Sequence, residues 1–384
     1  MTKKHPNKKY SLDSFNAVSD FDYSTQNDEY NKEFINWRKN KNNLYAYNYS
    51  ENRKEKVFVE GRGFVEPSAQ REELRAIYRV LRVIGIAMLI SMFIEVIFDK
   101  IIVFLLDATG VDIHATLTST FIYGAKLPVV LVMMITDMLK VAVPLWYAGK
   151  KFNMPKNVSC PKKINHPVEI VTSSALVIMV AATLSLLDVY SEESREIYTF
   201  LLSFKSEIPL WHQKEFVIYI IFDVLVVTVI TEMLYRGLFL AVLRQFGDVF
   251  AVIVTSLLCG LMTHKYGLMP GIIIVSAVAS VSVLRSGSIF TAIYSKILYE
   301  LFFLAIPFVA GMFSDDAEIY FSAGCFVLGL LLFLLAYAVN GKFKRRTFAR
   351  CGTQLPTVKK LALVMKCYPV LAVIIINIIL GFME

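Results

Sequence analysis

Residues 216–246 read FVIYIIFDVLVVTVITEMLYRGLFLAVLRQF, an apolar run that contains only four charged side chains. The apolar residues are continuous and do not alternate with polar ones, which is typical of a buried helix and not of a membrane β-strand. A helix needs about 20 such residues to cross the hydrocarbon core of a bilayer. The stretch therefore predicts a membrane-spanning helix, and it decides the fold class because similar runs recur along the chain.

The composition of the whole chain agrees with a membrane protein. Of the 384 residues, 56% are apolar and 19% are charged, and the mean hydropathy is +0.54. Soluble domains average roughly 45–50% apolar and ~25% charged residues, so a soluble globular enzyme and a disordered chain are both excluded. We predict an all-α polytopic membrane protein with about nine transmembrane helices. These helices are expected near 83–106, 128–148, 167–187, 216–246, 249–264, 269–285, 288–313, 319–340 and 365–383.

The N-terminal part of the chain differs in composition from the rest. It is polar and rich in Asn, Lys and Tyr, and we expect a weakly structured tail with short helices near Asn31–Trp37 and Ser68–Arg79. No secretory signal peptide is expected, because the first apolar run begins only after Arg82. The predicted parts are a polar cytoplasmic tail at 1–78, the first membrane helices and loops at 79–214, a motif-bearing core at 215–313 and the C-terminal membrane helices at 314–384.

The positive charge of the chain follows the membrane loops. The net charge is +8, and Lys and Arg collect in loops 149–166 and 341–364, whereas loops on the opposite side are acidic. Cytoplasmic loops are enriched in Lys and Arg, so we expect a cell-membrane protein with its N-terminus inside. Anionic lipids explain the basic balance, and no nucleic-acid partner is expected. The five cysteines form no CxxC pair, so neither a zinc site nor a disulfide framework is predicted.

Ionisable residues within apolar runs concentrate between residues 231 and 300. Glu232 and Arg236 are four apart, as are Lys296 and Glu300, so each pair shares a helix face. With a rise of ~1.5 Å per residue, Glu232, His264 and Glu300 lie roughly 18–21 Å from the predicted cytoplasmic ends of their helices. A carboxylate, an imidazole and cations at one depth can activate water and stabilise an oxyanion. The alternative interpretation is structural, with two ion pairs that neutralise themselves and a hydrogen-bonded histidine.

The same segment resembles a known family. Residues 231–237, TEMLYRG, resemble the Glu-Glu-x-x-x-Arg box of the CPBP intramembrane proteases, which include CAAX-processing and bacteriocin-processing enzymes. His264, 28 residues after Arg236, falls where the Phe-x-x-x-His box of the family is expected. Residues 286–289, SGSI, resemble the Thr-Gly-Ser turn before the last motif helix. The resemblance covers 216–303 and implies a CPBP-like core and peptide-bond hydrolysis in the membrane without a bound metal.

The sequence departs from the family pattern at several functional positions. The first Glu of the box, which the resemblance identifies as the general base, is Thr231 here, and the Phe before the histidine is Gly260. The final His-x-x-x-Asn box has Lys296 and Glu300 in place of both functional side chains. Threonine is not a base near neutral pH, and cations beside the remaining acids favour their charged forms and weaken them as bases.

Two functions therefore remain open. In an altered CPBP-like endopeptidase, Glu232 or Glu300 activates water, His264 assists at the oxyanion, and Arg236 and Lys296 orient charge during cleavage of a CAAX-type or secreted peptide. In a catalytically inactive relative, the same cavity binds a peptide, a lipid or a partner membrane protein, for instance in bacteriocin immunity, export or signalling. A transporter lacks support because no inverted repeat is apparent. Membrane lipids and a peptide or membrane-protein substrate are the expected partners, and neither a cofactor nor a metal site is predicted.

Overall fold

The protein is almost entirely helical. A computed structural model describes residues 26–40, 42–47, 57–61, 63–65, 69–115, 122–187, 214–263, 269–313, 315–340, 348 and 355–383. Two short antiparallel hairpins interrupt the helices, β1 (Val57–Val59) with β2 (Gly63–Val65), and β3 (Ile113–Ala115) with β4 (Ile122–Gly124). The helices are α1 (Asp28–Lys39), α2 (Ala69–Phe93), α3 (Asp99–Ala108), α4 (Lys126–Phe152), α5 (Lys156–Ser159), α6 (Val168–Leu186), α7 (Lys214–Phe222), α8 (Thr228–Glu232), α9 (Leu240–Leu243), α10 (Asp248–Leu261), α11 (Met269–Ser286), α12 (Phe290–Met312), α13 (Asp315–Asn340), α14 (Thr357–Lys366) and α15 (Tyr368–Met383).

Several of these helices are long and apolar enough to cross a membrane, which confirms the predicted polytopic helical fold. Within the described residues six spans meet this condition, and α14 with α15 makes a seventh if the two helices, bent by 70° at their junction, form one span. Helix α10 has only 14 residues and is shorter than the span predicted at 249–264. The count of nine spans stays a prediction. The six spans are Gln70–Ala108, Lys126–Phe152, Val168–Leu186, Val217–Phe246, Met269–Ser286 and Ala317–Val339.

The helices pack in two groups around the segment that carries the motif. Helix α2 packs against α4 and α15, and helix α6 packs against α11, α12 and α13. Helices α10 and α11 pack against each other and connect the two groups. The approach of α2 to α15 requires a glycine, because a Cβ at Gly85 would lie 2.8 Å from Pro369 Cβ and from the backbone nitrogen of Val370.

The described part of the N-terminal segment, residues 26–40 and 42–47, is folded onto the membrane helices, so the prediction of a weakly structured tail is wrong there. Helix α1 contains the short helix predicted near Asn31–Trp37, and the Asn27 side chain caps it by accepting a hydrogen bond from a backbone N–H. The aromatic residues of α1 are buried, with Phe34 0% and Trp37 5% exposed. The polar composition of the segment did not predict this contact, because few of its residues are buried.

Hydrogen bonds attach this N-terminal segment to the ends of two membrane helices. The indole Nε1 of Trp37 donates to the Phe152 carbonyl at 3.0 Å. The Arg244 guanidinium donates to the Tyr30 hydroxyl at 2.9 Å. Burial raises the pKa of the Tyr30 phenol above its usual range, although the charge of Arg244 opposes the shift. The segment therefore stays attached through buried polar contacts as well as through aromatic packing.

A buried ion pair joins the first membrane helix to the last helical pair. Glu73 of α2 is 0% exposed and Lys360 of α14 is 1% exposed, and Nζ of Lys360 lies 3.1 Å from Oε1 of Glu73. The same ammonium donates to the Phe246 carbonyl at 2.6 Å, and the Leu355 backbone N–H donates to Glu73 Oε2 at 3.1 Å. Both charges thus have additional hydrogen bonds, which compensate for their removal from water.

Candidate functional site

The helix that carries Glu232 widens twice along its length. Within the span Val217–Phe246 the backbone becomes π-helical at Asp223–Val227 and again at Met233–Phe239. A π-helical stretch accommodates an extra residue in the turn and occurs often at functional sites. The second stretch begins directly after Glu232, so the motif residues lie where the helix is irregular.

Glu232 and Arg236 form an ion pair that is closed to solvent. Arg236 Nη1 lies 3.1 Å from Glu232 Oε1, and both side chains are almost wholly buried. The same guanidinium donates to Cys259 Sγ of α10 at 3.7 Å and lies 5.8 Å from the centre of the Tyr235 ring. Glu232 Oε2 is buried and has no hydrogen-bond partner among the described residues. Arg236 therefore links the ion pair to a second helix, and Glu232 Oε2 accepts no hydrogen bond from the described residues.

Lys296 and Glu300 form the second ion pair of the motif, on α12. Nζ and Oε1 lie 2.5 Å apart, and the ammonium lies 4.8 Å from the centre of the Tyr299 ring. Their side chains are 16% and 32% exposed, so this pair is more open than the first. Helix α12 packs against α8, and both Lys296 and Glu300 interact electrostatically with Glu232. Four of the five predicted site residues thus lie close enough together to interact through their charges.

His264, the fifth predicted site residue, lies outside the described residues. Helix α10, at whose end the sequence placed it, ends at Leu261. The same helix shows why a family residue is missing. A Cβ at Gly260 would collide with the Ile273 side chain of α11, so a Phe at this position has no room.

A family model described as type II CAAX prenyl endopeptidase Rce1-like matches residues 213–302. These residues are called the Rce1-like domain below, after the family that they resemble. The match agrees with the resemblance noted over residues 216–303, and it occupies less than a quarter of the chain. It shows that this segment is similar to type II CAAX prenyl endopeptidases. No curated protein and no solved structure matches the chain.

A second group of ionisable residues lies beside the motif of the Rce1-like domain and was not predicted as part of the site. Lys140 of α4 lies 2.7 Å from Asp137 Oδ1 and 3.3 Å from Glu95 Oε1. The Tyr219 hydroxyl donates to Asp137 Oδ2 at 2.7 Å. The three-residue spacing of Asp137 and Lys140 indicated their pairing, whereas nothing in the sequence indicated that Glu95 would share the same lysine from another helix.

Asp223 connects this second group to the ion pairs of the Rce1-like domain. It interacts electrostatically with Asp137 and Lys140 and also with Lys296 and Glu300. In the described part of the chain it makes neither a hydrogen bond nor an ion pair. Among the described residues this network contains five acidic side chains and three basic ones: Glu95, Asp137, Asp223, Glu232 and Glu300, and Lys140, Arg236 and Lys296.

The donor set of the described residues contains no evident metal centre. No three His, Cys, Asp or Glu side chains of the described ranges lie close enough together to hold a metal ion, a comparison that does not include His264. The chemistry that this part of the site offers is therefore that of carboxylates paired with ammonium and guanidinium groups.

Proposed function

We propose that the Rce1-like domain binds a positively charged peptide segment within the membrane and does not cleave it. The observation that carries the proposal is that both acids of the motif are already ion-paired, Glu232 with Arg236 and Glu300 with Lys296. A neighbouring cation favours the charged form of a carboxylate and weakens it as a base. Thr231 occupies the position of the general base and cannot take that role, so proton transfer from water would fall to acids that already hold a cation.

The charge balance of the site supports a cationic ligand. An ionised side chain inside a bilayer costs ~2.5–3.5 kcal/mol or more unless it is compensated, and the carboxylates of the network outnumber its cations. A Lys or Arg of a bound peptide would compensate Asp223, which has no ion pair in the described structure. Immunity to a cationic secreted peptide, peptide export and peptide signalling would each use such binding.

One assay on the full-length protein in nanodiscs tests binding and cleavage together. A fluorescent Lys-rich apolar peptide should bind and be recovered intact, as measured by anisotropy and mass spectrometry. Asp223→Asn should weaken binding by roughly tenfold or more, because a hydrogen bond to a charged group contributes about 1.5–3 kcal/mol. The matched control is Asp112→Asn, which removes the same charge from an exposed loop and should leave binding unchanged.

Two results would contradict the proposal. If Asp112→Asn and Asp223→Asn weaken peptide binding equally, binding depends only on the overall charge of the protein and not on Asp223. Peptide cleavage by the unaltered protein, lost in Glu232→Gln, would replace binding by hydrolysis.

Hydrolysis is the second candidate because Glu232 Oε2 is buried without a hydrogen-bond partner in the described residues. A general base needs a free oxygen to accept a proton, and water would have to enter the closed ion pair to reach this one. In this version Glu232 activates water against a CAAX-type peptide, the substrate class named in the family description. Cleavage by the natural protein that is lost in Glu232→Gln would support this version. The variant Thr231→Glu/Lys296→His/Glu300→Asn restores the family residues, and cleavage by this variant alone would count against it.

A further inference from the structure

A cavity of about 760 Å³ lies between α1, the beginning of α2 and α14. Its lining comes from the end of α1 and the loop that follows it, from the α2 turns between Glu72 and Arg79, and from Leu363 of α14. No lining residue belongs to the Rce1-like domain at 213–302. The cavity is therefore separate from the proposed peptide site.

Positive charge dominates the lining of this cavity. Four basic residues and one acidic residue contribute to it: Arg38, Lys39, Arg75, Arg79 and Glu72. Arg75 and Arg79 are four apart on α2, so they share a helix face with Cβ atoms about 5–6 Å apart. Lys39, Arg75 and Arg79 are exposed and form no ion pair within the described residues. Their charges are available to an anion.

The cavity also has an apolar wall and lies where the chain enters the membrane. Leu74 and Leu363 are half-buried and line it beside the charges. The long apolar run of α2 begins after Arg82, so both cavity arginines precede it by no more than about two helical turns. Helix α14 meets α15 at a 70° bend, an arrangement that suits a helix lying at the membrane surface before a span.

We propose that this cavity binds the phosphate headgroup of an anionic phospholipid. Planar guanidinium groups donate paired hydrogen bonds to phosphate oxygens, and Arg75 and Arg79 supply two of them from one helix face. Basic pockets beside membrane helices recognise acidic headgroups in this way. An acyl chain extends along Leu74 and Leu363, a contact that a soluble phosphate lacks.

Thermal unfolding of the full-length protein in neutral detergent tests this site. Phosphatidylglycerol should raise Tm, because a ligand that binds only the folded state stabilises it, and phosphatidylcholine at the same concentration should not. Arg75→Gln/Arg79→Gln should weaken the binding of phosphatidylglycerol by roughly thirtyfold, since two basic contributions are lost. The matched control is Lys151→Gln/Lys359→Gln, which removes the same charge from exposed positions outside the cavity.

Each outcome of this experiment supports or overturns the proposal. An equal loss of binding in the control pair would show that net charge alone attracts the lipid and would overturn the site. Stabilisation by inorganic phosphate as large as that by the lipid would assign the cavity to a soluble anion and overturn the lipid assignment. If the double variant does not fold, Lys39→Gln at the exposed end of α1 gives the same comparison, and unchanged lipid binding there would count against the site.

Discussion

Arg236 is the residue that makes the buried acid of the motif tolerable. Its guanidinium contacts Glu232, Cys259 and the Tyr235 ring, so one side chain supports parts of two helices. Removing one partner of a buried ion pair destabilises a protein far more than replacing both partners with apolar residues, because the remaining charge stays buried and uncompensated. Stability and the charge state of the site therefore depend on the same residue.

Arg236→Met should destabilise the protein by about 3–5 kcal/mol, because it leaves Glu232 buried without its cation. Thermal unfolding in detergent measures the loss. The double variant Glu232→Gln/Arg236→Met should recover much of it, since it removes both charges. Lys214→Met, at an exposed position, serves as the control. A double variant no more stable than Arg236→Met would mean that the guanidinium acts through packing and not through charge.

At the level of single residues, the sequence predicts contacts within a helix much better than contacts between helices. The four-residue spacing indicated both motif ion pairs, because neighbours on one helix face are fixed by helix geometry. The shared use of Lys140 by Glu95 and the contact of Arg236 with Cys259 depend on which helices become neighbours. Spacing along the chain contains no information on that choice.

At the level of elements, hydrophobicity predicted the helices but not their irregularities. The run at 216–246 indicated a span, and the span Val217–Phe246 is present. Its two π-helical stretches were not predicted, because a shift of backbone hydrogen bonds leaves no mark in an apolar sequence. The early end of α10 at Leu261 was also missed, since no Gly or Pro follows that residue before Gly267 to indicate a helix end.

The contact of α2 with α15 gives a test at this level. Gly85→Ala should destabilise the protein by about 1–3 kcal/mol, because the new methyl group would lie too close to Pro369 and Val370 and must separate the helices. Gly149→Ala is the matched control, since its Cβ would meet no atom within 4 Å and Ala favours a helix by about 0.5–1 kcal/mol. Unfolding of both variants in detergent gives the comparison, and equal stability would refute the close packing.

For the whole molecule, composition correctly predicted a membrane protein but wrongly predicted a weakly structured N-terminal segment. The high apolar fraction predicted a polytopic helical membrane protein, which the structure confirms. The described part of the first 47 residues was expected to be weakly structured, yet its aromatic residues are buried against the membrane helices. Average polarity cannot reveal a short helix in which a few aromatic residues and Arg38 provide the buried contacts.

The attachment of the N-terminal segment can be measured by hydrogen exchange. Trp37→Ala removes a buried indole and its hydrogen bond to the Phe152 carbonyl. The loss should be about 3–5 kcal/mol, so exchange in α1 should accelerate by roughly a hundredfold or more. Trp146→Ala removes a tryptophan that is 66% exposed and should leave α1 protected. Unchanged exchange in Trp37→Ala would show that other contacts suffice to hold the segment.

The pairing of Glu73 with Lys360 has a consequence for biosynthesis. Leu355, which hydrogen-bonds the same carboxylate, lies 282 residues further along the chain. At translation rates of about 5–20 residues per second, the ribosome needs on the order of tens of seconds to deliver these partners. During that interval the acid at the start of the first span has neither of them. Helix α2 is therefore synthesised long before this ion pair can form. The contact between α2 and α14 is completed only after the C-terminal segment has been synthesised.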